Sequence, residues 1–120
     1  MKKKIVILVV EDEAIIRMAA VDMLEQAGFA VVEAADADSA ICILELRNNV
    51  RAVFTDTNMP GSLDGLRLAH TIRGRWPPIN LILTSGRLAV SDEELPTDGR
   101  FIRKPYLPED LVATIRERLA

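Results

Sequence analysis

The sequence predicts an α/β protein built on a five-stranded parallel sheet. Short apolar, β-branched runs alternate with amphipathic stretches along the whole chain. The runs are continuous rather than alternating, which fits strands covered on both faces. Strand and helix take turns, and that order implies βαβ crossovers and parallel pairing.

Ile5 to Val10 is the first such run. From about 13 to 27, Ile16, Ala20, Met23, Leu24 and Ala27 mark one face of a helix, and Gly28 is placed to cap it. Ala30-Val31-Val32 reads as the second strand. Asp36 offers an N-cap to a helix with the stripe Ala37, Ala40, Ile41 and Leu44, ending near Asn48-Asn49. Ala52-Val53-Phe54 is the third strand, and Gly65, Leu68, Ala69 and Ile72 line a helix over about 64 to 74 that Pro77-Pro78 closes. Ile79 to Leu83 and Phe101-Ile102 are the fourth and fifth strands, with one weak helical stretch between 87 and 97. Pro108 opens a last helix with Glu109 and Asp110 at its positive end and Leu111, Val112, Ile115 and Leu119 as its buried stripe.

With 120 residues, 49% hydrophobic and 28% charged, the chain reads as one domain over 1–120 with a core that needs neither disulfide nor structural metal. A net charge of −3 argues against direct nucleic-acid binding. No apolar stretch approaches the ~18 residues of a membrane span. The acids at 11 to 13 cut the first run too short for a signal peptide, so a cytoplasmic location without membrane insertion is expected. The one cysteine, Cys42, excludes an internal disulfide and is expected as a small core residue. His70 is expected at the surface, without a ligand role, and Trp76 offers a spectroscopic reporter for cation binding.

In open parallel sheets ligands bind outside the carboxyl ends of the strands. Glu11-Asp12-Glu13, Asp56, Thr84 and Lys104-Pro105 each follow a different predicted strand. Together they offer carboxylates, a hydroxyl and an ammonium to one spot, a site for a divalent cation and a phosphoryl group. Mg²⁺ takes oxygen ligands and retains waters, so one or two carboxylates suffice. Asp12 and Asp56 read as direct ligands, Glu11 as the holder of a metal-bound water, and Asn58 as a backbone-carbonyl ligand. Glu13 reads as the solvent-facing start of the first helix. Asp56 is either a ligand only or also a nucleophile toward phosphorus. Thr84 stands where a phosphoryl oxygen would arrive, with Ser85 as a rival donor and Gly86 allowing close backbone approach. Lys104 supplies positive charge, and a cis bond to Pro105 would turn it over the sheet edge. No Ser-His-Asp set, Walker loop or GxGxxG is present.

The ordered set Glu11-Asp12, Asp56, Thr84 and Lys104-Pro105 resembles the receiver domains of bacterial two-component response regulators, over the whole chain. The resemblance implies a flavodoxin-like (CheY-like) three-layer sandwich with strand order 2-1-3-4-5. It implies that Asp56 accepts phosphate from a sensor histidine kinase or a histidine phosphotransfer protein in a phosphorelay, with Mg²⁺. Thr84 and Phe101 are then the switch residues, Lys104 contacts the phosphoryl group, and a downstream protein target reads the state. A homodimer is compatible with this reading. The protein is then no enzyme toward an external substrate, catalysing only phosphorylation and dephosphorylation of its own aspartate.

This chain departs from the family pattern in four places. Glu11 replaces the commoner aspartate, and the Met59-Pro60 to Asp64-Gly65 spacing is one residue longer, which predicts a bulge before the third helix. The fourth helix is expected to be short, irregular or absent, because acids at 92 to 94 and Pro96 to Gly99 break it. Phe101 stands where a switch tyrosine is common, which removes any hydroxyl-based switch. Segment 87 to 99 is expected to be mobile without phosphate and to order on phosphorylation or partner binding. The alternatives are a phosphate-independent interaction domain and a small-ligand module of flavodoxin type. The latter would need a phosphate-cradling loop after the first strand, which the sequence lacks.

Overall fold

The computed structural model describes residues 4–57, 64–86 and 93–119. Five strands, β1 (Val6–Val10), β2 (Ala30–Ala34), β3 (Val50–Asp56), β4 (Asn80–Ser85) and β5 (Arg100–Arg103), form one sheet. All pairings are parallel and the order is β2-β1-β3-β4-β5. Helices α1 (Ala14–Gln26), α2 (Ala37–Leu46), α3 (Gly65–Arg75) and α4 (Pro108–Leu119) cover both faces.

Strand alternation divides the core in two. Val6, Leu8, Val10, Val53, Leu81 and Leu83 pack with α2 and α3 through Ala40, Leu44, Leu68 and Ile72. Ile7, Val9, Ala52, Phe54 and Ile82 pack with α1 and α4 through Ala20, Leu24, Leu111 and Ile115. The result is the three-layer, flavodoxin-like sandwich that the resemblance implies.

Local chemistry places the helices. Gly28 takes φ 100° after α1, and the Phe29 amide donates to the Leu24 carbonyl at 3.1 Å while Gly28 N–H donates to Glu25 at 3.0 Å. That is a Schellman ending, with Phe29 and Leu24 both buried. Asp36 caps α2 by accepting from Ser39 N–H at 2.7 Å, which holds its carboxyl below the usual range. Asp64 caps α3 by accepting from Arg67 N–H at 2.9 Å.

Two expectations need correction. Cys42 is exposed rather than in the core. On α2 it lies roughly 160° from Leu44, on the face away from the stripe. Trp76 ends α3 and shares a pocket with Val50 and Ile79, near the amino ends of β3 and β4. It is remote from the carboxyl edge, so a cation bound there would not touch it.

The described part of the β4–β5 connection, 93–99, forms turns and no helix. That agrees with a short or absent fourth helix; residues 87–92 lie outside the described residues. The 93–99 stretch has firm attachments that its composition did not announce. Leu95 packs on the core, Pro96 is buried, His70 Nε2 lies 2.6 Å from the Glu94 carbonyl, and Arg73 Nε donates to Thr97 O at 2.7 Å. His70 is at the surface, as expected.

Candidate phosphoryl and cation site

Continuation of the sheet ladder by one residue positions the site. Past β1, the Glu11 amide donates to Ala34 O at 3.1 Å. Past β3, Thr57 N–H donates to Thr84 O at 2.8 Å, and past β5, Lys104 N–H donates to Ser85 O at 3.0 Å. Asp56 and Thr84 are direct register partners. Their side chains share a face, because two-residue periodicity puts Asp56 with Phe54, Thr84 with Ile82 and Lys104 with Ile102. The same periodicity turns Ser85 to the face of Leu83, so Thr84 is the donor on the acidic side.

Carboxylate oxygens of Glu11, Asp12 and Asp56 lie within 4.8 Å of one another. Lys104 Nζ donates to Asp56 Oδ2 at 2.5 Å and to Glu11 Oε1 at 3.1 Å. Both acids are nearly enclosed, with side-chain exposures of 6% for Glu11 and 9% for Asp56. Burial pushes the Glu11 carboxyl up to about 7, helped by Asp12 and Asp56 and opposed by Glu13 N–H and Lys104. Burial acts to lower the Lys104 ammonium, but contacts with Asp56 and Glu11 outweigh it and leave its pKa above the usual value. The Lys104–Pro105 bond is cis.

The Thr84 hydroxyl is buried, and its Oγ1 has no hydrogen-bond partner among the described residues. Such a group costs roughly 1–3 kcal/mol unless a ligand satisfies it. Thr84→Val should therefore leave unliganded stability unchanged or raise it by about 1 kcal/mol, measured by urea unfolding. A loss of that size would show that the hydroxyl has a protein partner.

Phe101 is half-buried on β5 as the partner of Leu83, within the α2–α3 core. It lies across the sheet from the Thr84 hydroxyl, so coupling between them would pass through the backbone. Asn58 and the lengthened Met59-to-Leu63 turn lie outside the described residues. Glu13 is the exposed N-terminal boundary of α1, as expected.

Sequence reasoning missed two contributors. Tyr106 packs edge-on against Phe54, with ring centroids 5.6 Å apart, and burial raises its pKa while nearby Lys104 opposes the rise. Its place just beyond Lys104-Pro105 was the available signal. Gly65 abuts the Asp56 carbonyl, where an added Cβ would lie 1.6 Å from the oxygen. The sequence places it on the inward face of the helix and at the end of the lengthened Met59-to-Gly65 spacing, neither of which shows the contact with Asp56.

An α/β/α sheet of this order, with acids, a hydroxyl and an ammonium along its carboxyl edge, defines a flavodoxin-like signalling module. The response regulator receiver domain model matches residues 7–116, and the chain belongs to that family. It is 36% identical to the sensor kinase CckA of Brucella abortus over 94% of this chain and 12% of that protein. It is 31% identical to the response regulator receiver protein CpdR of Brucella abortus, over 94% of this chain and 95% of that one. A receiver protein from Sinorhizobium medicae superposes with a TM-score of 0.91 at 25% identity, covering 98% of this chain and 95% of that one. The chain spans 12%, 24% and 48% of the lengths of CckA, the hydrogenase regulator HoxA of Cupriavidus necator and the ycf27 regulator of Cyanophora paradoxa. No helix among the described residues is long and apolar enough to cross a membrane.

Proposed function

We propose that this receiver domain accepts a phosphoryl group on Asp56 from a histidine kinase or histidine phosphotransfer protein. The observation that carries the reading is the pairing of Lys104 with both Asp56 and Glu11, beside a buried Thr84 hydroxyl that has no partner among the described residues. An Asp56 carboxylate oxygen attacks phosphorus. A P–O bond forms, the donor P–N bond breaks, and the imidazole leaves with the bonding electron pair and takes a proton from solvent. Lys104 stays near Asp56 and neutralises a phosphoryl oxygen, and Thr84 donates to another.

The all-oxygen donor set suits Mg²⁺. Asp12 and Asp56 would bind it directly, Glu11 through water and Asn58 through its carbonyl. When bound, Mg²⁺ supplies charge that offsets the phosphoryl oxygens. Lys104 pairs with both buried carboxylates, and the bound cation would add charge beside them.

The domain would act on its own aspartate, not as an enzyme on an external substrate. A phosphodonor would dock in the cytoplasm beside the site, where Ile15, Ile16, Ala19, Met23, Pro105 and Tyr106 line an apolar depression next to Lys104. Thr84 moving toward the phosphoryl group would shift the loop after β4, with Phe101 repacking and a downstream protein reading the change. One charge-assisted hydrogen bond of roughly 1.5–3 kcal/mol shifts such an equilibrium about tenfold to a hundredfold.

Incubation with acetyl phosphate and Mg²⁺, followed by intact mass, tests the reading. One phosphoryl addition, acid-stable and base-labile, is expected, and no addition would refute it. Lys104→Ala should bind Mg²⁺ at least as tightly as wild type, because a competing cation is gone. It should nevertheless respond weakly to beryllofluoride, a phosphoryl mimic, in amide chemical shifts. Lost Mg²⁺ binding with an intact response would reverse the assignment of Lys104.

A further inference from the structure

We infer that Arg17 is a positioning residue that sets the direction of the Glu11 and Asp12 carboxylates. The inference rests on the cation-assisted reading of the site. Arg17 lies in the first turn of α1, and its guanidinium reaches back over the end of β1. Nη1 donates to the Glu11 carbonyl at 2.7 Å, and Nε donates to Glu33 Oε1, near the end of β2, at 3.2 Å. The Arg17 side chain is only 19% exposed, while Glu33 is at the surface with 48%.

The Glu11 carbonyl belongs to the peptide that joins Glu11 to Asp12. Its plane governs where both side chains leave the chain. The Glu11 amide is already fixed, donating to Ala34 at 3.1 Å. Arg17 fixes the carbonyl from the helix side, so both backbone groups of Glu11 are held. Glu33 keeps the guanidinium in place, and the planar fork lets one side chain serve both acceptors. The turn that carries two acids is thus tied to β2 on one side and to α1 on the other.

Charge and positioning predict opposite signs. Taking a cation away from an acidic site should tighten Mg²⁺ binding. Freeing the Glu11–Asp12 peptide should weaken it. Arg17→Ala is expected to lose roughly tenfold in Mg²⁺ affinity, the low end for an outer-shell partner. Arg17→Lys is expected to lose about threefold, since an ammonium cannot hold the carbonyl and Glu33 in one fixed fork.

The experiment titrates Mg²⁺ alone into wild type, Asp12→Ala, Arg17→Ala and Arg17→Lys, well below their melting temperatures. Backbone amide shifts of residues 11 to 13 are read, and melting without Mg²⁺ is recorded for each. Graded loss, from wild type through Arg17→Lys to Arg17→Ala, supports the assignment. Unchanged or tighter binding in both Arg17 variants overturns it, even if both melt earlier, because a merely structural role moves melting alone. Should Arg17→Ala not fold, unchanged affinity in Arg17→Lys overturns it. Loss in Asp12→Ala with both Arg17 variants unchanged spares the phosphoacceptor reading and sinks this inference. Absence of Mg²⁺ binding by wild type sinks both.

Discussion

Asp56→Asn is expected to take up no phosphoryl group from acetyl phosphate and Mg²⁺ while remaining folded. The two side chains have nearly the same shape, so the buried space at the end of β3 stays filled. Lys104 keeps its hydrogen bond to Glu11 at 3.1 Å, so its ammonium is not stranded. The reaction, by contrast, loses its nucleophile, because a neutral amide does not displace a leaving group from phosphorus under these conditions. Intact mass should show full loss of the addition seen in wild type, and Mg²⁺ affinity should fall by about tenfold or more as a charged ligand disappears. Labelling of the variant to the wild-type extent would mean that another residue is the acceptor. Glu11 or Asp12, within 4.8 Å, would then be the first to test.

The site was legible because its residues end continuous apolar runs, and parallel topology sends those ends to one edge. Glu11, Asp56, Thr84 and Lys104 all meet there as read. Strand limits were less legible where a strand carries a polar residue. β2 runs on to Ala34 through exposed Glu33, and β3 begins at Val50 with exposed Arg51 second. Neither fits a continuous apolar run, so both strands were read too short. The choice between Thr84 and Ser85 needed strand register, which composition does not contain. Cys42 was misplaced because residue type was weighed above its angle on α2. Arg17 escaped notice because a charged residue on a helix usually reads as solvated, and its backbone acceptor leaves no mark in the sequence. The anchoring of 93–99 escaped for the same reason, since two of its attachments are backbone carbonyls held by His70 and Arg73.

Gly65→Ala is expected to destabilise the protein strongly and to disturb the acceptor, although it adds one methyl group. An ideal Cβ at Gly65 would lie 1.6 Å from the Asp56 carbonyl oxygen, 2.6 Å from its carbon and 2.9 Å from Thr57 Cα. All three are backbone atoms, so no rotamer change relieves the overlap. Ordinary contact begins at 3.4 Å, so the first turn of α3 or the Asp56–Thr57 peptide must move. Either movement strains the Gly65 N–H bond to Thr57 O at 3.1 Å and the Thr57 N–H bond to Thr84 O at 2.8 Å. Overpacking of this kind costs about 3 kcal/mol, which lowers the melting temperature by roughly 10 °C at this size. Displacing Asp56 by about 1 Å from Lys104 would slow phosphorylation by on the order of a hundredfold. Gly74 supplies the internal control. It is exposed near the other end of α3, and a Cβ there meets nothing within 4 Å. Gly74→Ala should stabilise the helix by about 0.5–1 kcal/mol through its backbone preference. The same substitution on one helix is thus expected to act with opposite signs at its two ends. Thermal melts and acetyl phosphate labelling rates of the two variants decide the matter. If Gly65→Ala melts within a few degrees of Gly74→Ala and labels as fast as wild type, the close approach of α3 to Asp56 does not hold the acceptor in place.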